Sequence, residues 1–178
     1  GCGGCSMSLL CADTPDFPAM LRSASLELLW HPSLSLPSGE QVIDLLERIE
    51  SGAQPLDLLC LEGAVLRGPN GTGRFHMLAG TQTSMMDWLL RLAPLARHVV
   101  AVGSCAAWGG VSAAGANLTQ ACGLQYDDAR PGGLLGASFR SRSGLPVINV
   151  AGCPTHPGWV IETLMALAFG DLQASDLD

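Results

Sequence analysis

Three short apolar runs constrain this chain most: Leu58–Leu61 (LLCL), His98–Val102 (HVVAV) and Pro146–Val150 (PVINV). Each is of strand length and shows no polar alternation, the pattern of strands buried on both faces. Helix-length stretches lie between and after them. Gly39–Ile49 carries Val42, Leu45, Leu46 and Ile49 at helical spacing behind Ser38, a good N-cap. Ser84–Arg97 does the same with Met85, Trp88, Leu89, Leu92 and Leu95. Pro157–Phe169 has proline at its start and Gly170 after its end. Cys5–Ala12 reads as a short helix, Leu26–Trp30 (LELLW) as a further strand, and the glycine-rich Gly115–Arg142 as irregular surface loop. Strand–helix alternation of this kind predicts an α/β fold, an open doubly wound parallel sheet. Ligands in such sheets gather at the carboxyl ends of the strands.

Composition narrows the function. The chain has 178 residues, enough for one domain with a real core. At 48% apolar and 14% charged it is too hydrophobic for disorder. All nine basic residues are Arg, unclustered, and the net charge is −7. That balance argues against nucleic acid and anionic membrane surfaces. No run reaches the ~18–20 apolar residues of a membrane span. So little charge implies that a partner covers part of the surface.

Seven cysteines cannot all pair within the chain, and no secretory segment is visible. A reducing compartment is expected, with thiolates used for metal or redox work; the start at Gly1-Cys2 leaves a lost targeting segment open. Cys105, in GSCAAWGG, follows one strand by three residues, and Cys153, in AGCPTHPG, follows another by three. Glu62 comes directly after LLCL. Cys2 and Cys5 form a C-x-x-C ahead of the first helix. If a strand preceded Gly1, that pair would also lie at a strand's carboxyl end; four thiols on three loops would then meet at one rim of the sheet and could hold an iron–sulfur cluster or zinc. A redox dithiol would not need Cys105 and Cys153, and zinc favours compact knuckles. Gly3, Gly4, Gly103 and Gly152 let the backbone approach a bulky inorganic core, and Pro154 stiffens its loop. Cys11 and Cys60 read as core and Cys122 as a bystander. His31 and His98 read as structural. His156 reads as a neighbour of the site or a partner contact, Glu62 as a proton relay or a loop-holding acid, and Trp108 as an outward-facing interface anchor.

GCGGCS, LEGAV, GSCAAWGGV and NVAGCPTHPGW, in that order, resemble the small subunit of nickel–iron hydrogenases over Gly1 to about Ala168. The resemblance implies a flavodoxin-like domain holding one 4Fe–4S cluster on Cys2, Cys5, Cys105 and Cys153. Glu62 stands for the family's acid near the cluster and the large-subunit interface. Ser6 and the residues flanking the ligands would lie around the cluster. The implied partners are a hydrogenase large subunit, which supplies the nickel–iron site, and a downstream electron acceptor or signalling protein.

Family members usually begin with a strand before the C-x-x-C and continue past Asp178 into a second domain with further clusters. The expectation here is one domain over 1–178, without that strand and second domain, binding one cluster. Gly4 and Gly110 occupy the places of two extra cysteines found in oxygen-tolerant members, and Met7 stands where many members carry an acid. The sequence looks most like the hydrogen-sensing and cytoplasmic uptake types, so a cytoplasmic location is expected. Two other readings are the short small subunit of a soluble, pyridine-nucleotide-coupled hydrogenase and a non-redox zinc module. A related quinone-reducing respiratory subunit uses adjacent cysteines rather than C-x-x-C.

Overall fold

A computed structural model of the chain describes residues 1–177. Asp178, the end of the expected domain, lies outside the described residues. The helices are α1 (Gly4–Leu10), α2 (Phe17–Ser23), α3 (Glu40–Glu50), α4 (Met85–Leu92), α5 (Ser104–Trp108), α6 (Gly110–Ala113) and α7 (Pro157–Phe169). The strands are β1 (Leu58–Glu62), β2 (Val65–Leu66), β3 (His98–Val102), β4 (Ala121–Cys122), β5 (Tyr126–Asp127), β6 (Arg130–Pro131) and β7 (Ile148–Val150).

β1, β3 and β7 form a parallel sheet with β3 in the middle. Every residue of β3 is buried, which is why its sequence is apolar without alternation. Successive side chains leave a strand on opposite faces. Val99 and Ala101 therefore pack into one core with Ile49, Trp88, Leu89 and Leu92 from α3 and α4. Val100 and Val102 pack into the other with Met20, Val160, Ile161, Leu164 and Leu167 from α2 and α7. Burying each such aliphatic side chain stabilises the fold by about 1.5–3 kcal/mol. The result is the doubly wound, flavodoxin-like α/β sheet expected from the sequence.

α7 has the bounds expected. α3 begins one residue later than Ser38 would start it, with Gly39 at its N-cap in a positive-φ conformation (φ 56°). α4 opens with a capping box between Ser84 and Asp87, and Pro94 turns its end into a short 3₁₀ segment. The expected loop over Gly115–Arg142 also contains β4, which pairs with β2 outside it, and the small ladder β5–β6.

Leu26–Trp30 is not a strand. No backbone hydrogen bond is made by Glu27–Trp30 to any described residue, so the apolar composition of this run has no ladder to join. β1 pairs on one side only and forms the sheet's edge. This overturns the core reading of Cys60, which is exposed there: burial of a strand is decided by its neighbours as well as by its own residues. Cys11 is exposed too, because α1 ends at Leu10 and leaves it as the C-cap. Cys122 is buried in β4.

Candidate metal centre

The register of the sheet builds the site. Glu62 pairs with Val102, and Val102 with Val150, so the three strands end level. Glycine follows directly after β1 and β3 and two residues after β7. The amide of Gly103 donates to the Val150 carbonyl (2.7 Å) and that of Ser104 to the Gly152 carbonyl (2.9 Å). These bonds tie the Cys105 and Cys153 loops together, and the Gly152 amide returns to Ser104 Oγ (3.2 Å).

The Cys2–Cys5 turn is tied to β1. Gly3 stands at the N-cap of α1 with φ 76° and no side chain to cap the helix. Its first amides need another acceptor. Glu62, from the end of β1, provides it: the amide of Cys5 donates to Oε1 (3.2 Å) and that of Ser6 to Oε2 (3.0 Å). The Ser6 hydroxyl donates to Oε2 as well. A carboxylate at a helix N-terminus satisfies orphan donors and complements the helix dipole. On the far side of α1, Ser8 Oγ donates to the Thr155 carbonyl (2.7 Å), which joins the turn to the Cys153 loop.

Cys2, Cys5, Cys105 and Cys153 all line one cavity of about 90 Å³, with Gly1, Gly4, Glu62, Gly63, Val102, Ser104, Gly152 and Pro154. The glycines keep it open. A Cβ at Gly103 would stand 2.5 Å from Cys5 Sγ, one at Gly110 2.8 Å from Cys105 Sγ, and one at Gly4 3.1 Å from Cys2 Sγ. The Gly4 amide donates to Cys2 Sγ (3.4 Å). Cys5 is the buried member of the four. Burial pushes its thiol above the ordinary range, a Thr155 backbone hydrogen bond opposes this, and nearby Glu62, Cys105 and Cys2 add to the rise. A metal bound here would take the thiolate and release the thiol proton.

The residues fit a polyatomic group better than a lone ion. A single zinc would draw four sulfurs to about 2.3 Å and leave no void. Here the cavity is several times the roughly 10–15 Å³ that one water needs. Among the described residues, no three His, Cys, Asp or Glu side chains converge closely enough to hold one metal ion. Four thiols spread around such a void suit an iron–sulfur cluster.

Not every residue singled out from the sequence is at this cavity. Gly3 shapes the turn without lining the cavity. His156 caps α7 instead, its Nδ1 accepting from the Gly158 amide (3.2 Å) beside the exposed Trp159. Trp108 does not line the cavity either: it is half-buried, packing against the core and beside Tyr126. Ser104 and Gly63 line the cavity too; their place within two residues of the strand ends was the available signal. His31, read as structural, reaches the site through Ser6, with 2.9 Å between Nε2 and Oγ.

The family described as the NADH ubiquinone oxidoreductase 20 kDa subunit matches residues 2–167. The chain is 33% identical to the F420 non-reducing hydrogenase II small subunit of Methanosarcina mazei, over 98% of this chain and 48% of that protein. It is 31% identical to the periplasmic [NiFeSe] hydrogenase small subunit of Desulfomicrobium baculatum, over 93% of this chain and 51% of that one. The actinobacterial-type NiFe-hydrogenase from Ralstonia eutropha H16 superimposes with a TM-score of 0.78 at 33% identity, over 96% of this chain and 50% of that chain. The chain thus spans about half the length of these relatives. With the C-x-x-C turn, the level strand ends and these likenesses together, the chain belongs to the NADH ubiquinone oxidoreductase 20 kDa subunit family, as a small subunit of the nickel–iron hydrogenase kind.

Proposed function

We propose that this chain is the electron-transfer small subunit of a nickel–iron hydrogenase and holds one 4Fe–4S cluster on Cys2, Cys5, Cys105 and Cys153. The observation that carries this reading is the meeting of these four thiols, from two strand-end loops and the Cys2–Cys5 turn, around one cavity. When bound, such a cluster supplies reversible one-electron transfer. The chain's own residues do the rest. Glu62 holds the Cys2–Cys5 turn by its amides, and the Gly103–Val150 and Ser104–Gly152 bonds hold the other two loops in register. Glycine at positions 4, 103 and 110 keeps Cβ atoms off the sulfurs.

Hydrogen oxidation itself belongs to a large subunit carrying the nickel–iron site, in this proposal. α1 and the helices that follow the Cys105 and Cys153 segments offer it exposed apolar side chains: Met7 on α1, Val111 on α6 and Trp159 on α7. Apolar and aromatic anchors of this kind are enriched in protein interfaces. No helix among the described residues is long and apolar enough to cross a membrane.

Co-expression with the large subunit under anaerobic conditions tests the proposal. Iron and acid-labile sulfide should accompany the chain, with a reduced-state paramagnetic signal that Cys105→Ser removes or alters. Zinc alone, or a signal unchanged by Cys105→Ser, overturns it. A cytoplasmic hydrogen-sensing role is the finer part of the proposal and rests on the sequence, with Met7 in place of an acid. Co-purification with a histidine kinase supports it. A flavin-containing diaphorase partner instead assigns the chain to a pyridine-nucleotide-coupled enzyme.

A further inference from the structure

Glu62 caps α1 from a distant strand, and a second layer of hydrogen bonds holds that cap in place. His31 lies directly after the unpaired Leu26–Trp30 run. Its own amide donates to Ser35 Oγ (2.8 Å), and the amides of Leu34 and Ser35 donate to its carbonyl (3.3 and 3.0 Å). The Ser33 amide donates to the ring at Nδ1 (3.1 Å). A ring nitrogen that accepts carries no proton, so the neutral ring has its proton on Nε2. Nε2–H then donates to Ser6 Oγ (2.9 Å). With its lone pair so engaged, the Ser6 hydroxyl directs its own proton to Glu62 Oε2. Every donor in this series points the same way, from the Pro32–Ser35 turn through His31 and Ser6 to the carboxylate.

We propose that His31 is a positioning residue for the thiol-lined cavity: by donating to Ser6 Oγ it aims that hydroxyl at Glu62 and keeps the carboxylate on the Cys5 and Ser6 amides. Two effects on the site follow. The turn carrying Cys2 and Cys5 is held at the end of β1, and a carboxylate stays beside the cavity it lines. Without the ring donor, Ser6 Oγ is free to rotate, and Glu62 loses an oriented partner. The consequence for electron transfer rests on the function proposed above, whereas the hydrogen-bond series stands without it.

Two measurements on the full chain separate these levels. The first is hydrogen exchange at the Cys5 and Ser6 amides in the metal-free chain. His31→Phe keeps a planar ring without a donor and should speed exchange about tenfold, the effect of losing one supporting hydrogen bond. His31→Gln carries an amide N–H near the position of Nε2 and should restore protection. Ser6→Ala should match His31→Phe, and it reads the same Cys5 amide if the Phe variant fails to fold. The second measurement is the midpoint potential of the iron-loaded complex, which should shift with the same sign in His31→Phe and Ser6→Ala and stay unshifted in His31→Gln. Unchanged exchange in His31→Phe, Gln no better than Phe, or potentials that shift with opposite signs overturns the inference. If the complex takes up no iron–sulfur cluster, the function proposed above fails while the exchange data still judge the role of His31.

Discussion

Replacing Gly103 with alanine strikes the site through one methyl group. Gly103 sits at φ 89°, ψ 160°, a region open almost only to glycine. Forcing an alanine into it costs about 1–3 kcal/mol. The added Cβ would also stand 2.5 Å from Cys5 Sγ, against the ~3.5–4.0 Å of an ordinary contact, so one must move by roughly 1 Å. Overpacking of this kind adds about 1–3 kcal/mol. The two costs separate in a double-mutant cycle with Cys5→Ala, since removing the sulfur relieves the clash and leaves the backbone strain. Urea unfolding of the metal-free chain reads both. Gly103→Ala should destabilise clearly in the native background and less so beside Cys5→Ala. In the complex it should also lower iron loading, because Cys5 Sγ is pushed from its place. A cost below about 0.5 kcal/mol, the scale of a neutral surface change, would refute the strain argument. Equal costs in the two backgrounds would refute the clash.

Other expectations can be checked alongside. Glu62→Ala removes the remote cap of α1 and should cost about 0.5–2 kcal/mol, the range for a lost helix cap, as read by thermal or urea unfolding. Ser84→Ala breaks a capping box at a fully buried position and should cost a similar ~1 kcal/mol, against no comparable loss on changing exposed Thr72. Burial pushes His98 below the ordinary histidine value, Arg97 adds to this and Asp57 opposes it. The unfolded chain thus takes up a proton that the fold refuses, so this contribution is present above about pH 6.5 and is lost as pH falls through the lowered folded value. Urea midpoints between pH 7.5 and 5.5 should therefore fall less steeply in His98→Asn than in the native chain. Carboxymethylation of the metal-free chain should label exposed Cys11 and spare buried Cys122 until unfolding, with Cys60 reacting slowly because desolvation pushes its thiol up to about 12.

Much of the site was legible before any coordinates. Gly-Ser-Cys after HVVAV and Ala-Gly-Cys after PVINV announce equivalent strand ends, and the C-x-x-C supplies two more thiols. The network behind them was not legible. His31 and Ser6 are 25 residues apart, and Ser6 and Glu62 are 56 apart, with nothing in either local pattern that names its partner.

The sequence by itself determined the parallel α/β fold, since only strands buried on both faces explain runs such as HVVAV. It also brought Cys105 and Cys153 to the same ends of those strands, because chain order and strand direction place both loops on one rim. Tertiary structure alone decided that Glu62 caps α1, that His31 stands behind that cap, and that Cys60 lies on an open edge while Leu26–Trp30 pairs with nothing. The physical reason is range. Hydrophobic periodicity records which face of an element is covered, while a hydrogen bond across the fold depends on register, loop geometry and which neighbour a strand finds.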